Sequence, residues 1–283
     1  MFRSVKNKTN RTISLISLAA LTVLDAGPAR QTLAAKAAGF DAVGLRLQPL
    51  LATDPVIAGN DAAIEELLEA LRNTGLKVTE IGVFPIKPGM DIEALSPVLS
   101  LSHKIGAGYV TCPVEDVDRR RSIDTFARLC DLAETCGLEA LIEFNPYSAC
   151  RTLKEALAIV EESGRDNAKL LIDVLHLSRS GGKPSDLLTL DPKLIALVHL
   201  CDAPPPPSKS LSEEELRRES RTARLYPGEG QLWLDELLDV LSADVPLSVE
   251  APSAAHAHLS VEDRARHAFE ATRKLLRRHG RMI

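Results

Sequence analysis

At 283 residues, 45% of them hydrophobic and 26% charged, the chain is long for an ordinary domain but typical of an α/β barrel with a single core. A formal charge of −5 and a pI near 5.9 exclude a general field that would draw phosphate backbones or anionic lipid, leave only a local basic patch for such a role, and favour a small-molecule partner. Five cysteines (Cys112, Cys130, Cys136, Cys150 and Cys201) form no CxxC pair and cannot close completely into intrachain disulfides, which suits a reducing cytoplasm.

The first segment, MFRSVKNKTNR followed by ISLISLAALTVL, has the basic and then apolar order of a secretory signal. The competing reading is a basic, disordered tail over residues 1–12 followed by a buried strand, and the strand count favours it. No apolar run approaches the roughly 20 residues needed to span a bilayer. Eight short apolar runs follow one another at 13–18, 42–47, 77–84, 109–113, 139–144, 169–174, 195–200 and 246–250. Helical patterns occupy 29–38, 62–74, 92–104, 123–136, 153–162, 232–241 and 261–278, while SRSGGKPSDLLTLD offers little more than one short turn for a sixth helix. Eight strands alternating with helices point to the α/β class and a single closed (β/α)8 barrel over residues 13–283; discarding the first run as a signal would leave seven. The longest irregular region, 203–230, contains PPPP, a charged stretch SEEELRRESRTAR and YPGEG, and reads as a lid carrying a short helix, with a solvated insertion as the alternative.

Active sites of such barrels lie at the carboxyl ends of the strands. There the fifth run ends in Glu143 (LIEF), the sixth in Asp173 (LLID), the seventh in His199 (LVHL) and the eighth in Glu250 (LSVE). Singly, a strand-end carboxylate often caps the next helix and a lone histidine is often a satisfied core residue. Together, three converging carboxylates would each lose hydration and repel the others, and a divalent cation resolves that conflict. Three oxygen donors and an imidazole suit Mn2+, with Mg2+, Co2+ or Zn2+ as alternatives.

Several further residues stand out near these ends. Arg46 either faces the mouth and binds an anionic group or turns outward between helices, and Glu80 is a charge whose face periodicity does not settle. Asn145 falls on the same side as Glu143 if the strand continues, within reach of a substrate hydrogen bond. Asp202 in HLCDAP either orients a ligand or caps the entry to the lid. Cys112 and Cys201 read as packing residues, and His256 and His258 as exposed loop histidines.

From EFNPYSACRTLKEALAIV through LLIDVLHLSRSGG and LVHLCDAP to RLYPGEG and SVEAP, the second half of the chain resembles the sugar phosphate isomerase/epimerase family of xylose isomerase-like TIM barrels. That group includes inosose isomerases, ketose 3-epimerases and 3-dehydroshikimate dehydratases. The first half resembles it only in its rhythm of strands and helices. The resemblance implies that Glu143, Asp173, His199 and Glu250 bind one divalent metal, and that His176 and Arg224 contact substrate. It also implies that Glu143 and Glu250 carry protons on opposite faces of a sugar, keto-sugar or cyclitol through an enediolate. Expulsion of a leaving group by the same intermediate would make the chain a dehydratase or lyase. An endonuclease IV-like nuclease is disfavoured, since the third and fourth runs end in Phe84 and Pro113 without a histidine and His103 falls within a helix. A non-catalytic binding protein is the remaining alternative. The expected partners are a small sugar or cyclitol and, as an option, a second copy in a homodimer, without nucleic acid or membrane.

Overall fold

In the computed structural model, which describes residues 11–12, 15–50, 56–207 and 210–282, eight parallel strands close into a barrel in sequence order. They are β1 Ile16–Leu18, β2 Ala42–Leu45, β3 Lys77–Ile81, β4 Tyr109–Pro113, β5 Glu139–Glu143, β6 Ala168–Asp173, β7 Ile195–Leu200 and β8 Leu247–Val249. Closure is made by β8 against β1, with Ile16 level with Leu247 and Leu18 level with Val249. The expected barrel is therefore present, with its strands where the eight apolar runs lie. Ile13 and Ser14 of the first run, and residues 1–10 of the expected tail, lie outside the described residues. Arg11 and Thr12 already pair in parallel with Arg281 and Met282 outside the barrel, so ordered pairing begins before the expected start at residue 13.

The helices are α1 Gly27–Ala38, α2 Asp61–Thr74, α3 Ser96–Lys104, α4 Arg119–Glu134, α5 Leu153–Ser163, α6 Val174–Arg179, α7 Glu213–Thr222, α8 Leu234–Val240 and α9 Val261–His279. Local chemistry fixes their starts. Asn60, Asp118 and Ser260 accept backbone N–H bonds at the heads of α2, α4 and α9, and Thr152 with Glu155 closes a reciprocal capping box at α5. Gly39 and Gly75 end α1 and α2 in the left-handed region, where a Cβ would be strained. Among the described residues, no helix is long and apolar enough to cross a membrane.

Two apolar layers result from the period-two alternation of the strands. Outward residues such as Ile142, Ile172, Val198 and Val249 join the shell between barrel and helices. Inward, Leu141, Leu171 and Leu197 form a separate cluster that plugs the barrel. Two strands end at least two residues before their apolar runs do. Beyond Ile81 the chain leaves regular β3 but keeps bonding to its neighbour, Phe84 N to Thr111 O and Ile86 N to Pro113 O. Beyond Leu45, Arg46 already belongs to the loop. The region 203–230 contains α7, which Ser212 and Glu215 cap reciprocally, as the charged stretch suggested.

Candidate metal centre

The same alternation that fills the barrel with leucine places the polar residues above it. Glu143, Asp173 and His199 each stand two residues beyond a plug leucine (Leu141, Leu171, Leu197), so each projects to the same side of its strand and one layer higher. Register then sets their level: Asp173 pairs with His199, and His199 with Ser248. Glu250, two residues past Ser248, completes the ring. Each of the four offers one ligand atom, and these atoms lie within 4.8 Å of one another. The imidazole sits among the carboxylates, with Nδ1 at 3.4 Å from Glu250 and 3.7 Å from Glu143.

Three carboxylates this close attract positive charge, and the imidazole among them responds. Burial opposes a charge on His199, yet Glu250, Glu143 and Glu80 around it hold its pKa well above the ordinary value. Among the described residues neither imidazole nitrogen has a hydrogen-bond partner, although both are buried. Two buried nitrogens without a partner among three carboxylates are what a site built for a divalent ion leaves behind, and the mixed set of hard oxygens with one nitrogen fits such an ion.

A model of the xylose isomerase-like TIM barrel family matches residues 33–275. The chain belongs to that family. Among curated relatives of this family member are the inosose isomerases of Halalkalibacterium halodurans, 28% identical over 166 residues, and of Bacillus licheniformis, 32% identical over 164 residues. The matches cover 57% and 56% of this chain and 56% and 55% of the relatives, so the chain matches about half the length of each. A crystal structure of the IolI protein with a zinc atom superposes with a TM-score of 0.79 at 21% identity, over 94% of this chain and 99% of that one, which shows the shared fold.

Within this family member, Arg224 turns inward to two of the four clustered residues. It is buried at 1% exposure. Its Nη1 donates to Asp173 Oδ2 at 2.5 Å, its Nη2 lies 3.1 Å from Glu250 Oε2, and its Nε donates to Ser220 O at 2.7 Å. Burial alone would raise the pKa of Asp173 and Glu250, but Arg224 with His176 and His199 holds Asp173 below its ordinary range, and His199 with Arg224 holds Glu250 well below its own. The other oxygen of Asp173 accepts the His176 N–H at 2.9 Å, because Asp173 is the N-cap of α6. His176 therefore lies in a short helix and not in a loop. Its side chain is buried, which lowers its pKa against the pull of Asp173, and it meets Tyr147 edge to face with ring centres 5.6 Å apart.

Above the four residues opens a cavity of about 930 Å3, whose lining includes Glu143, Glu250, His176, Asn145, Arg46 and Arg224. Each expected substrate residue thus borders one space. Arg46 is buried and borders the cavity, and Asn145 keeps a buried Oδ1 with no hydrogen-bond partner among the described residues. Asp173 and His199 lie deeper and do not line it. Asp202 takes the capping role: it accepts N–H bonds from Ala203, Gly228 and Leu232, and its backbone pairs with Leu225, next to Arg224. Cys112 and Cys201 are buried packing residues, with burial raising the Cys201 thiol to about 12. His258 is exposed, whereas His256 stacks on Tyr226 at 4.7 Å.

Sequence reasoning missed the wall of the cavity. Tyr147 donates or accepts at 2.8 Å with Ser220 Oγ and carries the Arg217 guanidinium 4.6 Å above its ring. An aromatic residue four places after a metal-type glutamate was the only available signal. Glu80, whose face was open, points into the barrel with 3% exposure.

Proposed function

We propose that the chain is a divalent-metal-dependent isomerase or epimerase acting on a sugar, keto-sugar or cyclitol. The observation that carries this reading is the convergence of Glu143, Asp173, His199 and Glu250 on one buried point at the floor of a 930 Å3 cavity. These four residues would hold one ion, with Mn2+ the first candidate for three oxygens and one nitrogen; the inosose isomerase relatives and the zinc of the IolI structure support the general reading. A bound divalent cation supplies Lewis acidity, polarising a substrate carbonyl and stabilising the enediolate that forms beside it.

The chain's own residues do the rest. Glu143 and Glu250 border the cavity, and each has a second carboxylate oxygen with which to exchange a proton. One would take up the proton α to the carbonyl and the other, carrying its own proton, would deliver that to carbon, on the opposite face in epimerisation or at the neighbouring carbon in isomerisation, after which solvent resets the two carboxyls. Asn145 Oδ1 is placed to accept from a substrate hydroxyl, and His176 and Arg46 border the same space as donors. Arg224 orients Asp173 and Glu250 while presenting an edge to the cavity. The enzyme acts in carbohydrate metabolism of the cytoplasm, in keeping with five free cysteines.

Deuterium exchange from solvent into a panel of ketoses and inososes tests the reading. Exchange should require added Mn2+, stop with chelator, and fall by at least about a hundredfold in Glu250→Gln. Exchange that persists in chelator, or no exchange with any member of the panel, would overturn it.

A further inference from the structure

Glu80 has no task in that chemistry, yet it is 3% exposed inside the barrel, where a carboxylate is costly unless it has partners. Its Oε1 accepts from Ser248 Oγ at 2.7 Å and lies 3.5 Å from His199 Nε2. The other ring nitrogen, Nδ1, faces Glu143 and Glu250. A neutral imidazole carries a single N–H, and the nitrogen that carries it cannot ligate an ion. If Nδ1 serves the four-residue centre, the proton must sit on Nε2, and the acceptor facing that edge is Glu80.

We propose that Glu80 is a positioning residue: it accepts from His199 Nε2–H, holds the tautomer whose Nδ1 lone pair points at the metal, and fixes the plane of the ring. The inference rests on the metal-centre reading above. Three strands are shaped around this one contact. β8 supplies the Ser248 hydroxyl that orients Oε1. β3 supplies Glu80 itself. β2 supplies space, because a Cβ on Gly44 would stand 1.9 Å from Glu80 Oε1, and Gly44 lies where the β2–β3 register shifts between Val43 and Leu45. A separation of 3.5 Å is at the outer limit of a hydrogen bond; ligation of Nδ1 makes Nε2–H a better donor and draws the two together.

The test uses the full chain with labelled histidine nitrogens, loaded with Zn2+ as a diamagnetic probe. Zinc affinity is measured by competition with a chromophoric chelator. In the wild type, His199 should show a metal-shifted Nδ1 and an Nε2–H resonance protected from solvent. Glu80→Leu should lose about tenfold to a hundredfold in zinc affinity and lose that protected resonance. Glu80→Gln keeps an oxygen acceptor and should recover most of the affinity, which a merely space-filling role would not require. Thermal unfolding in chelator reports folding separately; if Glu80→Leu does not fold, an Nε2–H resonance unmoved in Glu80→Gln overturns the assignment. Zinc affinity of Glu80→Leu within twofold of wild type, with unchanged ring resonances, overturns it while leaving the metal centre intact. A wild type that binds no zinc and no Mn2+ overturns both.

Discussion

Near their carboxyl ends β1, β2 and β3 turn Ser17, Gly44 and Glu80 into the barrel, whereas β5, β6 and the strands after them deliver Glu143, Asp173, His199 and Glu250. Both halves share the barrel's alternation and register, so the difference lies only in which residue follows each inward position. Concentrating the donors on adjacent strands brings them within 4.8 Å but also crowds three carboxylates. The facing half answers with space and wall: Gly44 clears room, Glu80 reaches across, and Val83, Pro85 and Arg46 border the cavity. The charged half is therefore the one whose stability should depend on what neutralises it.

The largest effect should come from Arg224, the buried cation that bridges Asp173 and Glu250. Arg224→Met leaves both carboxylates without it, and breaking a buried pair from one side costs about 3–5 kcal/mol. Urea unfolding in chelator should show that loss, and saturating Mn2+ should restore part of it by binding the native state. Equal losses with and without metal would mean that guanidinium and ion do not share the work of neutralisation.

Next in size is the response to pH, again confined to the charged half. His199 has a raised folded pKa, so its contribution to stability is fully present below the unfolded value of about 6.5 and is lost as pH rises through the folded value. Asp173 and Glu250 have depressed folded pKa values; their contribution is present above about 4 and is lost as pH falls through the folded values. His176 is lowered, so it opposes His199 only below about 6.5. Metal-free protein should accordingly lose stability both on acidification below about pH 4 and above about pH 6.5, and Mn2+ affinity should climb over the upper range because ligation needs a bare imidazole nitrogen. Calorimetric titration at several pH values checks this; Mn2+ affinity independent of pH would break the link between His199 and the ion.

In the facing half, Gly44→Ala asks whether space itself matters. A Cβ 1.9 Å from Glu80 Oε1 forces the carboxylate or the strand to shift, an overpacking cost of about 1–3 kcal/mol in chemical unfolding. Fully wild-type stability would show that Glu80 can move aside freely.

How much of this was legible beforehand follows from the same contrast. The four donors could be read because each ends an apolar run whose period is two, and a charge at the end of such a run has few other places to point. Glu80 sits inside its run, on a strand whose register shifts against β2, so alternation alone could not assign its face. Arg224 was recognisable as a site residue by its motif but not as a buried one, since Arg217, Arg218 and Arg221 share its segment and long-range backbone pairings, Leu225 with Asp202 and Arg224 N–H with Pro252 O, hold it in place. The short helix that holds His176 was not legible, because the Asp173 cap that starts it resembles a strand end. Tyr147 lies within the EFNPYS stretch but was not singled out, because its role as a wall depends on α7, which arrives from 73 residues further along the chain.

The smallest effects should separate the two flanks of α7. On one flank Arg179 makes a two-pronged contact with Glu219, at 2.8 and 2.6 Å, with the side chains only 4% and 16% exposed. On the other, Arg151 pairs with Glu213 at 50% and 64% exposure. Water screens the second pair and competes for both partners, so Arg151→Gln should change stability by about 0.5 kcal/mol or less, with a further decline toward zero in high salt. Arg179→Gln strands a half-buried carboxylate and should cost roughly 1–3 kcal/mol. The flanks should also differ in function, because Ser220 follows Glu219 directly and receives Arg224 Nε on its carbonyl. Loosening the Arg179 side should therefore disturb Arg224 and raise KM in the proposed reaction although Arg179 does not border the cavity, whereas Arg151 borders it and would act on KM directly; an unchanged KM in Arg179→Gln would show that Ser220 holds its place without that flank.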